Sequence, residues 1–293
     1  MGPKKLQYGL LNIVTHPHSY DTYLSLFREA ARKRISVKVT GNERALLDEP
    51  FSGEIDGHKF IYGNLHRYSA IDENGKWVNL ETLDEPAIEE LSKLKDLKNL
   101  GPNHRMFPYF FFPKSHKMIV LLRYHNKTIS LRAYRLIMET LFKSPDLVDW
   151  GPAYVNIVQS NAVLDDIKKL KRIKSVRIKV SLPNSDGAFE DYSSLIKTMD
   201  TLNAGSALVE YKAPKHQSLT YTEVLQKDVE DTLMNGGAII EGVSDDGSDV
   251  IINTLDNPLT NTINSKEEIE ILKEEVPRHA ITRNQEYFRP SIE

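Results

Sequence analysis

The stretch RMFPYFFFPKSHKMIVLLRY, residues Arg105–Tyr124, decides the fold that this sequence predicts. Two runs of apolar, aromatic and β-branched residues, Arg105–Phe112 and Met118–Tyr124, flank the short segment Pro113–Lys117. This pattern predicts a β-hairpin with a five-residue basic loop. Both arms are too apolar to lie on the surface. We therefore expect the hairpin in the middle of a sheet.

The same pattern predicts which side chains share a face of the hairpin and which segment packs on that face. Side chains alternate between the two faces of a strand, so residues on alternate positions are expected to share a face. The next segment, Thr128–Lys143, has apolar residues at helical spacing and is predicted to be a helix that covers the hairpin. The residues expected together on one buried face are Phe107, Tyr109, Phe111, Ile119 and Leu121.

The composition excludes several classes of protein. The chain of 293 residues is 40% hydrophobic and 27% charged, so it can bury a core in one large or two ordinary domains. It has no cysteine, which excludes disulfides, thiolate nucleophiles, zinc fingers and iron–sulfur clusters. No apolar run approaches the roughly 20 residues of a membrane span, and no signal-peptide pattern is present. We therefore expect a cytoplasmic protein.

The segment Ser144–Pro152, which contains prolines and a glycine, marks the expected domain boundary. The predicted fold class is α+β, in two domains. Residues 1–147 are expected to form an N-terminal domain, with a mixed or antiparallel sheet, covering helices and the central hairpin. Strands and helices alternate beyond it, which favours an α/β layer domain over residues 148–275. We expect the polar tail, residues 276–293, to be flexible.

One short pattern could hold a metal ion. His16-x-His18 beside Asp21 offers two imidazoles and a carboxylate, which are ligands that zinc accepts. A polar proline turn at the end of a strand explains the same residues, and short motifs often match by chance. No metal is therefore expected.

A second pattern suggests nuclease chemistry. Restriction-type nucleases use a Glu-x-Lys triplet, in which carboxylates hold Mg²⁺ and the lysine stabilises charge on the attacked phosphate. Glu210-Tyr211-Lys212 on a predicted strand has this form, but a solvent-facing strand with alternating charges gives it equally well. The chain has no Gly-x-Ser-x-Gly elbow and no glycine-rich phosphate loop. The carboxylates upstream of the triplet are Asp186, Glu190 and Asp191.

Positive charge is segregated along the chain, although the formal net charge is only −3. Residues 105–143 carry eight lysines and arginines against one acid, and residues 168–179 carry seven and no acid. This density predicts one or two strongly positive surfaces, and nucleic-acid phosphates are the commonest partner of such a surface. Alternatively, Arg123, Arg132 and Arg177 pair with the acidic helices Asp84–Asp96 and Ser265–Glu275, inside the fold or across a dimer. The candidate nucleic-acid-binding residues are Lys114, Lys117, Arg123, Arg132, Arg135, Lys168, Lys169, Lys171, Arg172 and Lys174.

Three stretches carry a family resemblance: GLLNIVTHPHSYDTYLSLFREAAR near the start, FPYFFFPKSHKMIV in the hairpin, and VRIKVSLPNSDG in the second half. Over nearly the whole chain they resemble an uncharacterised bacterial family, the domain of unknown function numbered 4747. This resemblance implies no catalytic residues. More remotely, the order of parts is similar to that of the phage-exclusion protein RexA of phage lambda. That likeness implies a two-domain, dimeric, DNA-binding protein that takes part in defence against phage.

Together these features favour a non-enzymatic protein that binds nucleic acid, double-stranded DNA in the first place, largely without regard to sequence. The resemblance adds an expected role in a bacterial or prophage abortive-infection system, as a homodimer with a partner defence protein. One alternative is a metal-dependent nuclease that uses carboxylates of the C-terminal domain. The other is a protein-interaction or regulatory subunit. No cofactor is expected.

Overall fold

The computed structural model describes residues 2–15, 19–72, 75–79, 81–89, 91–92, 97, 99–150, 153–183 and 192–288. The strands are β1 Lys4–Thr15, β2 Val37–Thr40, β3 Glu43–Leu47, β4 Phe51–Ile55, β5 His58–Ser69, β6 Arg105–Phe112, β7 Lys117–Leu121, β8 Arg123–Tyr124, β9 Lys127–Thr128, β10 Ala153–Ile157, β11 Arg172–Ser181, β12 Ser206–Lys212, β13 Gly236–Val243, β14 Asp249–Asn253 and β15 Thr260–Ser265. The α-helices are α1 Tyr20–Arg32, α2 Leu131–Phe142, α3 Ala162–Lys168, α4 Ser194–Thr201, α5 Glu223–Asn235, α6 Ile269–Arg283 and α7 Gln285–Phe288. None of these helices is both long and apolar enough to cross a membrane.

The larger sheet is antiparallel and has the predicted hairpin at its centre. Its main path runs β10-β1-β7-β6-β5-β3-β2, with β15 also paired to β1 and β4 also paired to β5. Every residue of β7 is buried, and so are the last six residues of β6. The expectation of a hairpin in the middle of a sheet is therefore confirmed.

The turn of this hairpin is one residue shorter than expected, and the register changes with it. β6 ends at Phe112 and β7 begins at Lys117, so four residues form the turn and Phe110 pairs with Ile119. A shift of one residue moves every side chain of a strand to the opposite face. The expectation that Ile119 and Leu121 lie on the face of Tyr109 is therefore wrong. The first face carries Phe107, Tyr109, Phe111, Met118 and Val120. The second face carries Phe110, Phe112, Ile119 and Leu121.

Helices α1 and α2 cover the first face of the larger sheet. Phe27 of α1 contacts Phe111 of β6 and Phe142 of α2, with ring centroids 5.4 Å and 5.1 Å apart. Full burial of each such ring stabilises the fold by about 1.5–3 kcal/mol. The prediction that the segment after the hairpin forms a covering helix is confirmed.

Helices α6 and α7 cover the second face, which corrects the expectation of a flexible tail. The ring of Phe288 is buried 5.1 Å from that of Phe112. Pro277 lies inside α6, but the apolar stripe of the helix continues past it, so packing holds the helix together. Residues 276–283 and 285–288 are therefore helical, and the part of the expected tail after residue 288 lies outside the described residues. The buried apolar residues of α6 include Leu272, Val276 and Ala280.

The second sheet is antiparallel, with the order β12-β11-β13-β14. The predicted alternation of strands and helices is found here, and the predicted strand that carries Glu210 and Lys212 is β12. Helices α3, α4 and α5 pack on one face of this sheet only. Their shared core includes Val163, Ile167, Val176, Ile178, Ile196 and Val229.

Strands from both sides of the expected boundary between residues 147 and 148 pair in the larger sheet. β10 and β15 both follow that boundary, and both pair with β1. The buried Gln159, just after β10, connects the two sheets, because its side-chain Nε2 donates to the carbonyl of Gly236 in β13 at 2.8 Å. The fold is α+β. The division into two domains stays a prediction, and a division at that boundary would separate β1 from β10 and β15.

Candidate nucleic-acid interface

The candidate site is a groove between helix α2 and the face of the second sheet that the helices leave uncovered. We call it the basic groove, and its volume is about 520 Å³. Residues 154–157 of β10, the last strand on the main path of the larger sheet, also line it. Its charged lining residues are Arg132, Arg135, Glu139, Lys143, Arg177 and Lys179.

Helix α2, together with its C-cap residue Lys143, supplies three of the five basic side chains. The hydroxyl of Ser130 caps the helix by accepting a hydrogen bond from the third residue after it. Residues three or four positions apart lie on the same side of a helix, so Arg132, Arg135 and Lys143 form one stripe with Glu139. The opposite side of α2 is buried against the larger sheet. The stripe therefore faces the second sheet across the groove.

Strand β11 supplies the other two basic side chains. Its residues alternate between the two faces of the sheet. Val176, Ile178 and Val180 are buried in the core beneath α3, α4 and α5. Arg177 and Lys179 therefore project from the opposite face into the groove.

Glu139 holds two of the groove cations together. One of its carboxylate oxygens lies 2.7 Å from Nη2 of Arg135, and the other lies 2.7 Å from Nζ of Lys143. Each pair is four residues apart on α2, a spacing at which ion pairs stabilise a helix by about 0.3–0.5 kcal/mol. One negative charge is thus shared between two positive ones.

Two further carboxylates pair with groove cations from outside the lining. Nη2 of Arg177 lies 2.7 Å from Glu210, and Nη2 of Arg132 lies 3.0 Å from Asp256. The hydrogen bond from Arg177 is the main cause that lowers the pKa of Glu210. Lys179 forms no ion pair with a residue of the described ranges. The groove remains positively charged overall, because three acids face five cations.

Two of the ten predicted nucleic-acid-binding residues, Arg132 and Arg135, line this groove. Lys114 lies exposed at the hairpin turn, and Arg123 lies exposed on β8. Neither lines the groove. These side chains therefore do not form one surface with α2.

The predicted residues around the end of α3 lie outside the groove as well. Lys169 pairs with Asp166 at 2.9 Å, and Lys174 pairs with Asp249 at 2.6 Å. Local ion pairs thus account for part of this charge. The other three predicted residues of this stretch are the exposed Lys168 and Lys171 and the half-buried Arg172.

Lys117 has a different environment from the one predicted for a phosphate contact. Its side chain is only 6% exposed, and Nζ donates to Oδ1 of Asn12 at 2.7 Å and to the carbonyl of Ser115 at 3.0 Å. Burial lowers the pKa of its amine to about 7. It lines a small separate cleft at the hairpin turn.

Three groove residues, Lys143, Arg177 and Lys179, were not singled out from the sequence, although they lie in the two basic stretches. The helical spacing from Arg135 to Lys143 could have found the first. The alternation of buried and basic residues along β11 could have found the other two. The convergence of both stretches depends on tertiary structure and has no local signal.

The nuclease and metal patterns stay predictions. On the exposed strand β12, Glu210 is engaged by Arg177 and lies 3.1 Å from Nζ of Lys212. Asp21 lies in the first turn of α1. Within the described ranges no group of three or more histidine, aspartate or glutamate side chains could hold a metal ion. The residues of these two patterns that lie outside the described ranges are His16, His18, Asp186, Glu190 and Asp191.

Comparison with known proteins matches this chain to a family. A search of curated proteins finds nothing similar. A family model described as "Domain of unknown function (DUF4747)" matches residues 4–281, which include both sheets and all five cations of the basic groove. The match begins at β1 and ends within α6. The resemblance to this family is thereby confirmed, and this chain belongs to the DUF4747 family.

Proposed function

We propose that this protein binds nucleic acid, double-stranded DNA in the first place, through its phosphates and largely without regard to base sequence. The observation that carries the proposal is the convergence of two basic stretches on one groove. Arg132, Arg135 and Lys143 come from the first stretch, and Arg177 and Lys179 come from the second. Such local positive charge in a chain of net charge −3 favours a polyanionic ligand.

The ion pairs of the groove are compatible with this binding. Arg132 and Arg177 pair with exposed or half-exposed carboxylates, and such pairs contribute about 0–1 kcal/mol. A phosphate can replace the carboxylate, because a guanidinium offers it two parallel hydrogen bonds. Binding also releases the counterions condensed on the nucleic acid, which is favourable at low salt.

The proposed role is non-enzymatic. Metal-assisted cleavage of a phosphodiester bond uses carboxylates that hold the metal ions beside the phosphate. Among the described lining residues of the groove, Glu139 is the one carboxylate, and it is already paired with Arg135 and Lys143. The groove is thus better suited to hold a backbone than to cleave it.

The proposed setting is an abortive-infection response to phage, in the cytoplasm of a bacterium, with the protein acting as a homodimer beside a partner defence protein. The support is the order of parts that is similar to RexA. The chain has an early strand–helix pair, β1 and α1, and an aromatic hairpin that leads into a helix, β6 to α2. Binding without regard to sequence fits this setting, because a defence protein meets DNA of many sequences.

The test compares two double variants that lose the same charge. Lys143→Gln with Lys179→Gln removes two groove cations, and we expect duplex affinity to fall at least about ten-fold, or about 1.4 kcal/mol. Lys168→Gln with Lys171→Gln removes two exposed lysines outside the groove, and we expect a change of less than about two-fold, since distant charges are screened by salt. Fluorescence anisotropy with two labelled duplexes of unrelated sequence measures both.

Two results would contradict the proposal. Equal losses in both double variants would mean that net charge, and not the groove, determines the affinity. The second result would be that the protein binds an acidic peptide and not the duplex, and that only the groove variant loses this binding. That result would favour a protein-interaction subunit. An extended peptide could then pair with β10, since β10 is at the edge of its sheet.

A further inference from the structure

A small cleft opens where the hairpin turn meets the ends of helices α5 and α7. Its volume is about 140 Å³, several times the roughly 30 Å³ that one water occupies in the liquid. Asn12 of β1, Lys117 of β7 and Asn235 of α5 line its polar side, and Met234 and Tyr287 line it with apolar surface. The cleft can therefore take a molecule of a few heavy atoms. We call it the Lys117 cleft.

The amine of Lys117 is held in a fixed position in this cleft. Nζ donates to Oδ1 of Asn12 at 2.7 Å and to the carbonyl of Ser115 at 3.0 Å. The amide of Asn12 is itself oriented, because its Nδ2 donates to Oδ1 of Asn235 at 3.0 Å. Both acceptors of the amine are neutral. Lys117 forms no ion pair with a carboxylate in the described part of the chain.

This hydrogen bonding matches an uncharged amine. A neutral lysine has two N–H donors and one lone pair, so the two acceptors satisfy both donors and leave the lone pair unused. A protonated lysine has three donors and would leave one of them without a described acceptor. Burial without a counter-charge also lowers the pKa of Lys117 to about 7. A large share of the molecules thus carries a nucleophilic amine at neutral pH.

We propose that the Lys117 cleft is a covalent binding site for a small aldehyde or ketone, which Lys117 captures as an imine. The lone pair of Nζ adds to the carbonyl carbon, and one N–H proton of Nζ is transferred to the carbonyl oxygen to give a carbinolamine. The second N–H proton then leaves the nitrogen, the C–O bond breaks as the hydroxyl takes up a proton and departs as water, and the C=N bond forms. Hydrolysis reverses the sequence, so no oxidant or reductant is needed. This site is separate from the basic groove and independent of nucleic-acid binding.

The lining of the cleft selects this class of ligand. The exposed Glu286 also lines the cleft, and its negative charge disfavours a phosphate or a second carboxylate there. A neutral carbonyl compound meets no such repulsion. Carboxylates are also among the groups that transfer protons in steps such as loss of water from a carbinolamine.

The test traps the imine in the intact, folded protein. The protein is incubated at neutral pH with propanal and sodium cyanoborohydride, which reduces an imine to a stable secondary amine, and modified lysines are located by peptide mass spectrometry. We expect Lys117 to be modified at least ten-fold faster than the exposed Lys171. Its rate should reach a plateau above about pH 7, because the amine is then uncharged.

A bulky aldehyde, pyrene carboxaldehyde, is the matched control, because it is too large for the cleft. It should modify Lys171 and leave Lys117 intact, and unfolding in urea should abolish the preference for Lys117. The proposal is overturned if folded Lys117 reacts with propanal no faster than Lys171. It is also overturned if the bulky aldehyde labels Lys117 as readily as propanal does.

Discussion

Lys117 keeps its amine inside the protein, where the charged form loses its hydration. Burial moves the pKa of this amine from the usual 10.5 to about 7. In the unfolded chain the lysine returns to its ordinary pKa. Between about pH 7 and pH 10.5 the unfolded state therefore binds more protons than the folded state, so stability rises with pH across this window. Below about pH 7 the amine is charged in both states, so its burial destabilises the folded state by the full amount.

Substitution of this lysine by methionine should remove that pH dependence. Lys117→Met keeps an unbranched chain without a titrating group, so the gain in stability between about pH 7 and pH 9.5 should be smaller in the variant by a few kcal/mol. Asn12 loses its donor, which costs about 1–3 kcal/mol at every pH. The change of the unfolding free energy with pH is thus the quantity that tests the shifted pKa, because the lost hydrogen bond affects every pH equally. Urea unfolding of both proteins at the two pH values measures it, and parallel pH dependences would contradict the buried, shifted amine.

At the scale of elements, the sequence was sufficient to predict those strands and helices whose pattern lies within one short stretch of the chain. Alternation along β12 and the apolar run of the hairpin predicted both elements, and the helical spacing after the hairpin predicted α2. The loop length was not predictable to one residue, because Lys117 resembles a loop cation and is in fact the first residue of β7. That single residue decides which face Ile119 occupies.

Pairings between distant strands left no local pattern. β15 and β10 pair end to end along one edge of β1, although no residue near β1 indicates either partner. Similarly, the sequence shows the periodicity of each of the two basic stretches that line the groove. It does not show that they meet, because their meeting depends on how the second sheet packs beside α2. The charged stripe was therefore predictable and the site was not.

The C-terminal helices should be essential for stability, although their sequence resembles a polar tail. Phe288→Ala removes a ring that is 2% exposed and packs on Phe112, so we expect a loss of about 3–5 kcal/mol in the free energy of unfolding. Phe51→Ala is the matched control. Phe51 is 57% exposed and stacks on Tyr62, and we expect a loss below about 1 kcal/mol.

Urea denaturation midpoints of the two variants test whether the C-terminal helices are essential for stability. If Phe288→Ala were as mild as Phe51→Ala, α7 would not be part of the core, and the tail would behave as the sequence suggested.

At the scale of the whole molecule, the distribution of charge matters more than its sum. A net charge of −3 repels a polyanion at long range, whereas the five groove cations attract it at short range. Salt screens both effects over about 8–10 Å at physiological ionic strength. The attraction within the groove acts over shorter distances, so the ligand is expected to bind along the groove and to avoid the acidic remainder of the surface.

The salt dependence of binding should therefore count the groove cations. Each phosphate contact contributes about 0.9 to the slope of log affinity against log salt on duplex DNA, so five contacts set an upper limit of about 4.5. The double change of Lys143 and Lys179 to glutamine should lower the slope by about 1.8, because two contacts are lost. The same change at Lys168 and Lys171 should leave it unaltered. Titrations at four salt concentrations with each protein give the slopes, and a lower slope in the second variant alone would place the phosphates beside α3 instead of in the groove.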